Sequence, residues 1–363
     1  MERRRVGLVF GGRSVEHEVS LVSANSILKA LDPGHYDVSL IAVAPDGSWH
    51  IGAPGLPPEA AVSGDAIDFP AAPGEHTLVS ASRRDLGAAA DLDVIFPVIH
   101  GCGGEDGSLQ GLLELAGVPY VGSGVLGSAL QMDKEVSKRL LAAADLPVVP
   151  WITVRSGELE CAGPDVSERA IAELGLPLFV KPANLGSSVG ISRVATADEL
   201  LPALREAARY DTKILVERGL DAREIEVALL GNDPIEASVP GEIRTDHAFY
   251  DYEAKYADES TNLLVPAPLS DEQTRKVREL AVAAMQALEG AGLGRVDFLL
   301  ERETGEFFVN EVNSLPGFTE ASMYPRLWEA SGVPYPALLD RLIELALARH
   351  RERSALETIY RRT

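Results

Sequence analysis

The sequence predicts an α/β protein of two or three domains, in which a mostly parallel sheet comes first and an acidic hairpin lies near the carboxyl end. Three observations carry that expectation. Strand-like and helix-like segments alternate through the first third, the pattern changes near Asp133, and Arg295 to Thr319 reads as two short strands around a turn.

At 363 residues the chain can build a substantial core. Its 46% hydrophobic and 24% charged residues are those of an ordinary globular protein. A net charge of -22 argues against a broad grip on nucleic acid or anionic lipid, both of which need basic surface. No apolar run approaches the roughly 20 residues that span a bilayer. The opening MERRRVGLVFGG passes into GGRSVEHEVS rather than a small-residue cleavage site, and so reads as a first strand and not a signal peptide. Two cysteines, Cys102 and Cys161, give no disulfide framework and fit a reducing cytoplasm.

The elements follow in order. Arg5 to Phe10 is a strand entering Gly11-Gly12, and Ser20 to Leu31 has helical apolar spacing that Asp32-Pro33-Gly34 stops. Val38 to Ala44 is a second strand. Residues 53–84, rich in Pro, Gly and Ala, predict an irregular surface excursion. A strand (Asp93 to Ile99), a helix (Gly107 to Ala116) and a short strand (Pro119 to Val121) complete a first unit, residues 1–132. The second unit, 133–217, holds a helix from Glu135, strands at Val148 to Val154 and Leu178 to Lys181, a Gly-Ser loop, a helix from Asp198 and a strand from Lys213 to Glu217. The third, 218–363, holds a polar excursion (246–265), a helix from Asp271, the acidic hairpin and a closing helix from Ala337 to Ala348. Its basic tail reads as frayed helix or disorder.

The hairpin carries the sharpest chemistry. Val296-Asp297-Phe298-Leu299-Leu300 and Phe307-Phe308-Val309 are β-branched or aromatic, with Thr304-Gly305 as the tip. Pairing them brings Asp297 near Glu311 and Asn313. Three hard oxygen ligands with no His or Cys suit Mg²⁺, which keeps positions open for phosphates. The same residues also fit a hairpin with solvated acids.

Four other segments can carry chemistry. Lys181 to Gly190, KPANLGSSVG, follows an apolar strand and offers Gly turns, hydroxyls and one ammonium to phosphate oxygens, although it is not a Walker A loop. An ordinary Gly-Ser turn is the competing reading. Lys213 to Leu220 leaves a strand where backbone groups can read an adenine edge while Glu217 or Glu224 accepts from ribose hydroxyls; a charge-capped strand fits equally. Gly11 to Ser20 and His100 to Gly107 both follow strands, so the first aims a helix N-terminus, and both aim loop side chains, at the sheet's carboxyl edge. Glu16 there is able to bind an ammonium group, and His100 stands above the same edge; a capping Glu and a surface His are the alternatives. Finally, Phe249 to Tyr256, FYDYEAKY, concentrates aromatics in a polar loop, as a closing lid does; a loop packed on its own tyrosines is the alternative.

Taken together and in this order, GGRSVEHEVS, HGCGGEDGSLQG, MDK, VKPANLGSSVG, FYDYEAKY, GRVDF and NEVNSLPGFT resemble the D-alanine–D-alanine ligases of the ATP-grasp superfamily, from Val6 to about Ala348. The resemblance implies a three-domain ATP-grasp fold in which two antiparallel sheets grip ATP. It implies that Lys134, Lys181, Ser187, Ser188 and Lys255 contact phosphates, and that Glu217, Arg218, Leu220, Glu224 and Tyr250 frame the nucleotide. Asp297, Glu311 and Asn313 would hold two Mg²⁺ ions, with Mn²⁺ as an alternative ion. Glu16 and His100 would receive the first D-alanine, Ser322 and Met323 the carboxylate of the second. Arg295 and the Gly317 amide would stabilise the oxyanion, while Glu16, Ser187 and Tyr256 fasten the lid. A cytoplasmic homodimer is the family's usual form. Relatives that make D-alanyl-D-lactate lack the FYDYEAKY lid, so an amine nucleophile is expected.

The alternatives are a related carboxylate–amine ligase making D-Ala-D-Lac or D-Ala-D-Ser, and a catalytically silent nucleotide-binding protein on the same scaffold. A nicotinamide dehydrogenase is disfavoured by the missing GxGxxG pattern.

Overall fold

The computed structural model describes residues 3–53, 55, 57–68, 79–80, 92–187, 189–244 and 262–357. Three sheets organise them. The first contains β1 (Arg4–Gly11), β2 (Tyr36–Val43), β3 (Trp49–Ile51), β4 (Asp65–Asp68), β5 (Val79–Ser80) and β6 (Val94–Pro97), in the order β5-β4-β3-β2-β1-β6. β1 runs parallel to β2 and β6, as expected, but β3 is antiparallel to β2, so the sheet is mixed rather than mostly parallel. The stretch expected to be an irregular excursion instead extends the edge of the sheet: β4 pairs antiparallel with β3, and β5 antiparallel with β4.

 The helix in that stretch is α2 (Pro58–Ala61), and it follows α1 (His17–Ala30) in the chain. Strands with apolar runs such as Val6 to Phe10 need cover on both faces. Leu21, Ala24 and Ile27 of α1 pack with Leu8 and Phe10 on one face. Leu109 and Leu113 of α3 (Ser108–Ala116) pack with Val9 and Ile95 on the other. The short strand expected at Pro119 reduces to one parallel bridge between Ile95 and Tyr120.

Two helices, α4 (Val125–Met132) and α5 (Lys134–Ala143), lead to the second sheet. Asp133 caps α5 by accepting from the Glu135 and Val136 amides at 3.2 and 3.0 Å. The sheet contains β7 (Trp151–Arg155), β8 (Leu178–Pro182), β9 (Ser192–Val194) and β10 (Lys213–Arg218), all antiparallel, in the order β7-β10-β8-β9. Its outer face is covered by α6 (Ser156–Leu174) and α7 (Ala197–Ala207). The sequence reading did not anticipate α6, because Gly157, Gly163 and Pro164 break its helical period; the helix is kinked at Ala162. The strand expected from Val148 begins at Trp151.

The third sheet has β11 (Ala222–Gly231), β12 (Glu236–Arg244), β13 (Asn262–Leu264), β14 (Gly292–Glu301) and β15 (Phe307–Asn313), in the order β13-β12-β11-β14-β15. Every neighbouring pair is antiparallel. β14 shows strict alternation: Val296, Phe298 and Leu300 enter a core with α8 (Asp271–Ala287), while Arg295, Asp297 and Leu299 take the opposite face. The last helices are α9 (Met323–Ala330) and α10 (Tyr335–Ser354).

Helix α10 runs past Ala348, so the part of the basic tail up to Ser354 is helix rather than frayed chain. Arg349 lies over the Tyr120 ring, and Arg353 pairs with Glu114, which fastens the helix to the N-terminal region. One apolar core runs from β1 and β6 through Phe318 and Tyr324 to α10. It locks the first and third sheets together and so fixes the walls of the cleft described next.

Candidate active site

A cavity of about 720 Å³ lies between the second and third sheets and reaches the loops after β1 and β6. Among the residues expected from sequence, all that are described line it: Glu16, His100, Lys134, Lys181, Ser187, Glu217, Arg218, Leu220, Glu224, Arg295, Asp297, Glu311, Asn313, Gly317, Ser322 and Met323. Ser188, Tyr250, Lys255 and Tyr256 lie outside the described residues, as does most of the expected lid. The described end of that segment, Asn262–Leu264, is a strand paired with β12.

The hairpin forms as expected and sets the acidic end of the cavity. Asp297 is the direct cross-strand partner of Glu311, and Arg295 that of Asn313. The ladder shifts register after Asp297, so Asn310 is an extra residue on β15. Such a bulge turns Asn310 and Glu311 toward one side, where strict alternation would have parted them. Both line the cavity.

Cations meet each acid. The Arg295 guanidinium donates to both oxygens of Asp297, at 2.6 and 2.7 Å, and forms an ion pair with Glu226 at 3.1 Å. Burial opposes its charge, but Asp297 and Glu226 outweigh that and hold its pKa well above the ordinary arginine value. Asn313 Nδ2 donates to Asp297 Oδ2 at 2.9 Å. Lys134 Nζ lies 3.3 Å from Glu311 Oε2 and donates to the Leu185 carbonyl at 2.8 Å, so it joins the acids to the Gly-Ser loop.

These donors fit a hard divalent ion. Two carboxylates stand on adjacent strands with an amide side chain beside them, and no sulfur or imidazole intervenes. Among the described residues no three His, Cys, Asp or Glu side chains converge as a metal cage. The set therefore suits an ion that takes its remaining ligands from water and phosphate rather than from protein.

Across the cavity, β8 and β10 alternate in the same way. Val180 and Val216 enter the core, and Lys181 and Glu217 face inward. Glu217, 3% exposed, is reached by Lys181 Nζ at 2.6 Å and Lys138 Nζ at 3.2 Å, each at a different oxygen. Its carboxylate is thus engaged by two lysines, while Glu224 also lines the cavity. Burial would raise the Glu217 pKa, yet the two ammonium groups hold it below the ordinary carboxylate value.

At the far end, the Glu16 carboxylate accepts a hydrogen bond from Ser187 Oγ, tying the turn after β1 to the Gly-Ser loop. Ser187 itself takes a left-handed conformation, with φ of 50°. Gly101 makes room for this contact. A Cβ there would sit 2.8 Å from Glu16 Oε2, and its φ of +75° is already glycine territory. His100, 4% exposed, bonds to the Leu315 carbonyl and to Ser23 Oγ, both at 3.1 Å, and lies 3.9 Å from Glu105. Burial disfavours its imidazolium, but Glu105 and then Glu16 outweigh that and raise its pKa above 6.5. Glu105 is pushed up by burial, only partly relieved by His100.

Ser322 stands at the N-terminus of α9, where its Oγ accepts from the Thr319 amide at 3.1 Å. A helix start with nearby hydroxyls favours a carboxylate. A Cβ at Gly317 would lie 3.2 Å from that Oγ, so the Gly317 backbone and Ser322 share one small space.

Sequence reasoning missed Glu105, Lys138, Glu226 and Asn310. Glu105 lay within a segment already singled out for His100. Lys138 follows Lys134 by four residues, which puts both on one helical face.

Two antiparallel sheets that face each other across lysines and paired carboxylates define an ATP-grasp enzyme. Profiles described as D-ala D-ala ligase N-terminus and D-ala D-ala ligase C-terminus match residues 5–123 and 140–344. The chain is 47% identical to the D-alanine–D-alanine ligase of Heliobacterium modesticaldum and to D-alanine–D-alanine ligase A of Escherichia coli, in each case over 99% of this chain and 100% of the relative. The D-alanine-D-alanine ligase structure from Coxiella burnetii superposes with a TM-score of 0.84 at 36% identity, covering 98% of this chain and 97% of that one. The VanG D-Ala:D-Ser ligase of Enterococcus faecalis gives 0.84 at 32% identity, over 95% and 100%. The chain belongs to the D-alanine–D-alanine ligase family.

Proposed function

We infer that the protein joins two D-alanine molecules into D-alanyl-D-alanine at the expense of ATP, releasing ADP and phosphate, as a step of peptidoglycan precursor synthesis. The observation that carries this reading is the single cavity holding both an acidic, lysine-flanked end and the separate Glu16–His100–Ser322 end, in a chain of this family.

A carboxylate is a poor electrophile, so the first D-alanine takes the γ-phosphoryl group of ATP and becomes an acyl phosphate. The amine of the second attacks it, and phosphate leaves from the tetrahedral intermediate. Glu16, with His100 behind it, holds the ammonium group of the first D-alanine. Lys134 and Lys181 hold phosphate oxygens. Arg295 and the Gly317 amide meet the negative charge that grows on the carbonyl oxygen, and Ser322 and Met323 at the start of α9 seat the second carboxylate. Asp297, Glu311 and Asn313 would hold two Mg²⁺ ions, which supply charge neutralisation at the transferring phosphoryl group. Ser188 and Lys255 would join the phosphate contacts. Arg218, Leu220, Glu224 and Tyr250 would frame the nucleoside, and Tyr256 would latch a lid that keeps water from the acyl phosphate. The units 1–132, 133–217 and 218–363 are our division of the chain, supported by one sheet falling in each. No described helix is long and apolar enough to cross a membrane. A cytoplasmic homodimer belongs to the same reading.

The test is incubation with ATP, Mg²⁺ and D-alanine, with phosphate release and product mass followed together. D-Alanine-dependent phosphate release with a D-alanyl-D-alanine product is expected. Parallel reactions that add D-lactate or D-serine decide the nucleophile: a mixed product in preference to the dipeptide would overturn the D-alanyl-D-alanine assignment. Absence of any D-alanine-dependent phosphate would overturn the ligase reading itself.

A further inference from the structure

Lys138 is a charged residue that the chemistry above does not use, although it is 1% exposed and one helical turn from Lys134. Its ammonium group lies 3.2 Å from Glu217 Oε1, donates to the Val149 carbonyl at 3.3 Å, and sits 5.6 Å from the centre of the Trp151 ring. The other oxygen of Glu217 is 2.6 Å from Lys181 Nζ, which also donates to Asn310 Oδ1 at 3.2 Å. Two lysines therefore share one buried carboxylate, and the group carries one net positive charge into the cavity wall.

That sharing has a consequence for phosphate binding. In a wall of low dielectric, Glu217 opposed by Lys181 alone would cancel the Lys181 charge and draw its ammonium group toward the sheet. We propose that Lys138 is a positioning residue for the nucleotide phosphates: by taking half of Glu217, it leaves the three-residue group with a net positive charge and Lys181 able to reach the phosphate chain. The inference rests on the ligase reading above and goes beyond it, because Lys138 itself touches no substrate. A lysine kept only for packing would serve the adenosine and phosphate portions of ATP alike. A lysine that sets the net charge around Lys181 would serve the phosphates alone.

The experiment is calorimetric titration of the full chain with ATP, ADP and adenosine in the presence of Mg²⁺. Wild type, Lys138→Met and the double variant Lys138→Met/Glu217→Gln are compared. The single variant leaves one acid against one lysine and is expected to weaken ATP and ADP by about tenfold while adenosine stays within about twofold. The double variant restores the net positive charge and is expected to recover the wild-type ratio of ATP to adenosine affinity. An unchanged ratio in the single variant, an equal loss across all three ligands, or a double variant that keeps the single variant's deficit would each overturn the proposal. Should Lys138→Met fail to fold by circular dichroism, Lys138→Gln takes its place and must show the same selective loss, which Lys138→Gln/Glu217→Gln must reverse. Wild-type protein that binds neither ATP nor ADP would overturn the ligase reading and this proposal with it. Wild-type binding with no change of ratio overturns only the role of Lys138.

Discussion

Asp297 stands directly across the β14–β15 ladder from Glu311, and a bulge immediately beyond that pair brings Asn310 to the same side. The two carboxylates are kept near each other by cross-strand geometry, and cations offset their repulsion: Arg295 grips Asp297, and Lys134 approaches Glu311. A divalent ion entering here competes with both contacts. Replacing Asp297 with Asn or Glu311 with Gln should therefore lower phosphate release by about 10²- to 10⁴-fold at moderate Mg²⁺. Part of the loss should return as Mg²⁺ is raised. A Mg²⁺ titration of each variant, read as initial rate, checks this; a rate equal to wild type at all concentrations would remove these residues from the metal site.

In the proposed reaction Arg295 would have two tasks, one electrostatic and one structural. It lines the cavity and also neutralises Asp297 and Glu226. Arg295→Met should cut kcat by about 10²- to 10³-fold, the usual effect of losing an oxyanion donor, with a smaller change in the KM for ATP. It should also destabilise the fold, because two buried acids lose their counterion. Arg295→Lys keeps the charge but not the two-pronged grip on Asp297, so it should recover stability more than turnover. Steady-state kinetics beside thermal melts separate the two effects.

The Ser187–Glu16 hydrogen bond spans the turn after β1 and the Gly-Ser loop. Ser187→Ala removes the donor and leaves the Glu16 carboxylate less well aimed at the first D-alanine. The expected result is a rise of roughly tenfold in the KM for the first D-alanine, from the loss of one charge-assisted hydrogen bond. ATP affinity measured without D-alanine should change much less. Equal losses for both ligands would mean that the loop, and not Glu16, is what Ser187 supports.

Such contacts differ in how plainly the chain announces them. The acidic hairpin was legible because alternating β-branched and aromatic residues flank a Thr-Gly tip, and the structure turns at that tip between β14 and β15. Glu16, His100 and Lys181 were legible because each sits where a strand gives way to a loop. Helix α6 was hidden by its own Gly and Pro residues, and β4 and β5 by a composition that reads as loop. Lys138 was hidden for a different reason. A lysine on a helix is normally solvated, and it is the approach of Glu217 from a distant strand, with the Val149 carbonyl, that makes its burial tolerable. Glu217 itself was found in the sequence, but its pairing with two lysines was not, since ribose and lysine both suit a carboxylate.

Glu217 also ties the cavity to pH. Its folded-state pKa lies below the ordinary 4.5, because Lys138 and Lys181 outweigh the cost of burial. A depressed carboxyl pKa means that the unfolded chain binds the proton more tightly than the folded one, so stability falls as pH falls. The contribution of Glu217 is therefore fully present above about pH 4.5 and is lost as pH drops below that value through the lower folded pKa. In Glu217→Gln no proton is taken up at this position, and the two lysines face each other without a counterion. That variant should be less stable than wild type near neutrality, and the gap should narrow as pH is lowered below about 4.5, where wild type loses its advantage. Urea midpoints measured from about pH 3 to pH 7 on both proteins test the sign: a gap that widens toward acid would show that Glu217 is not the ionised partner of these lysines.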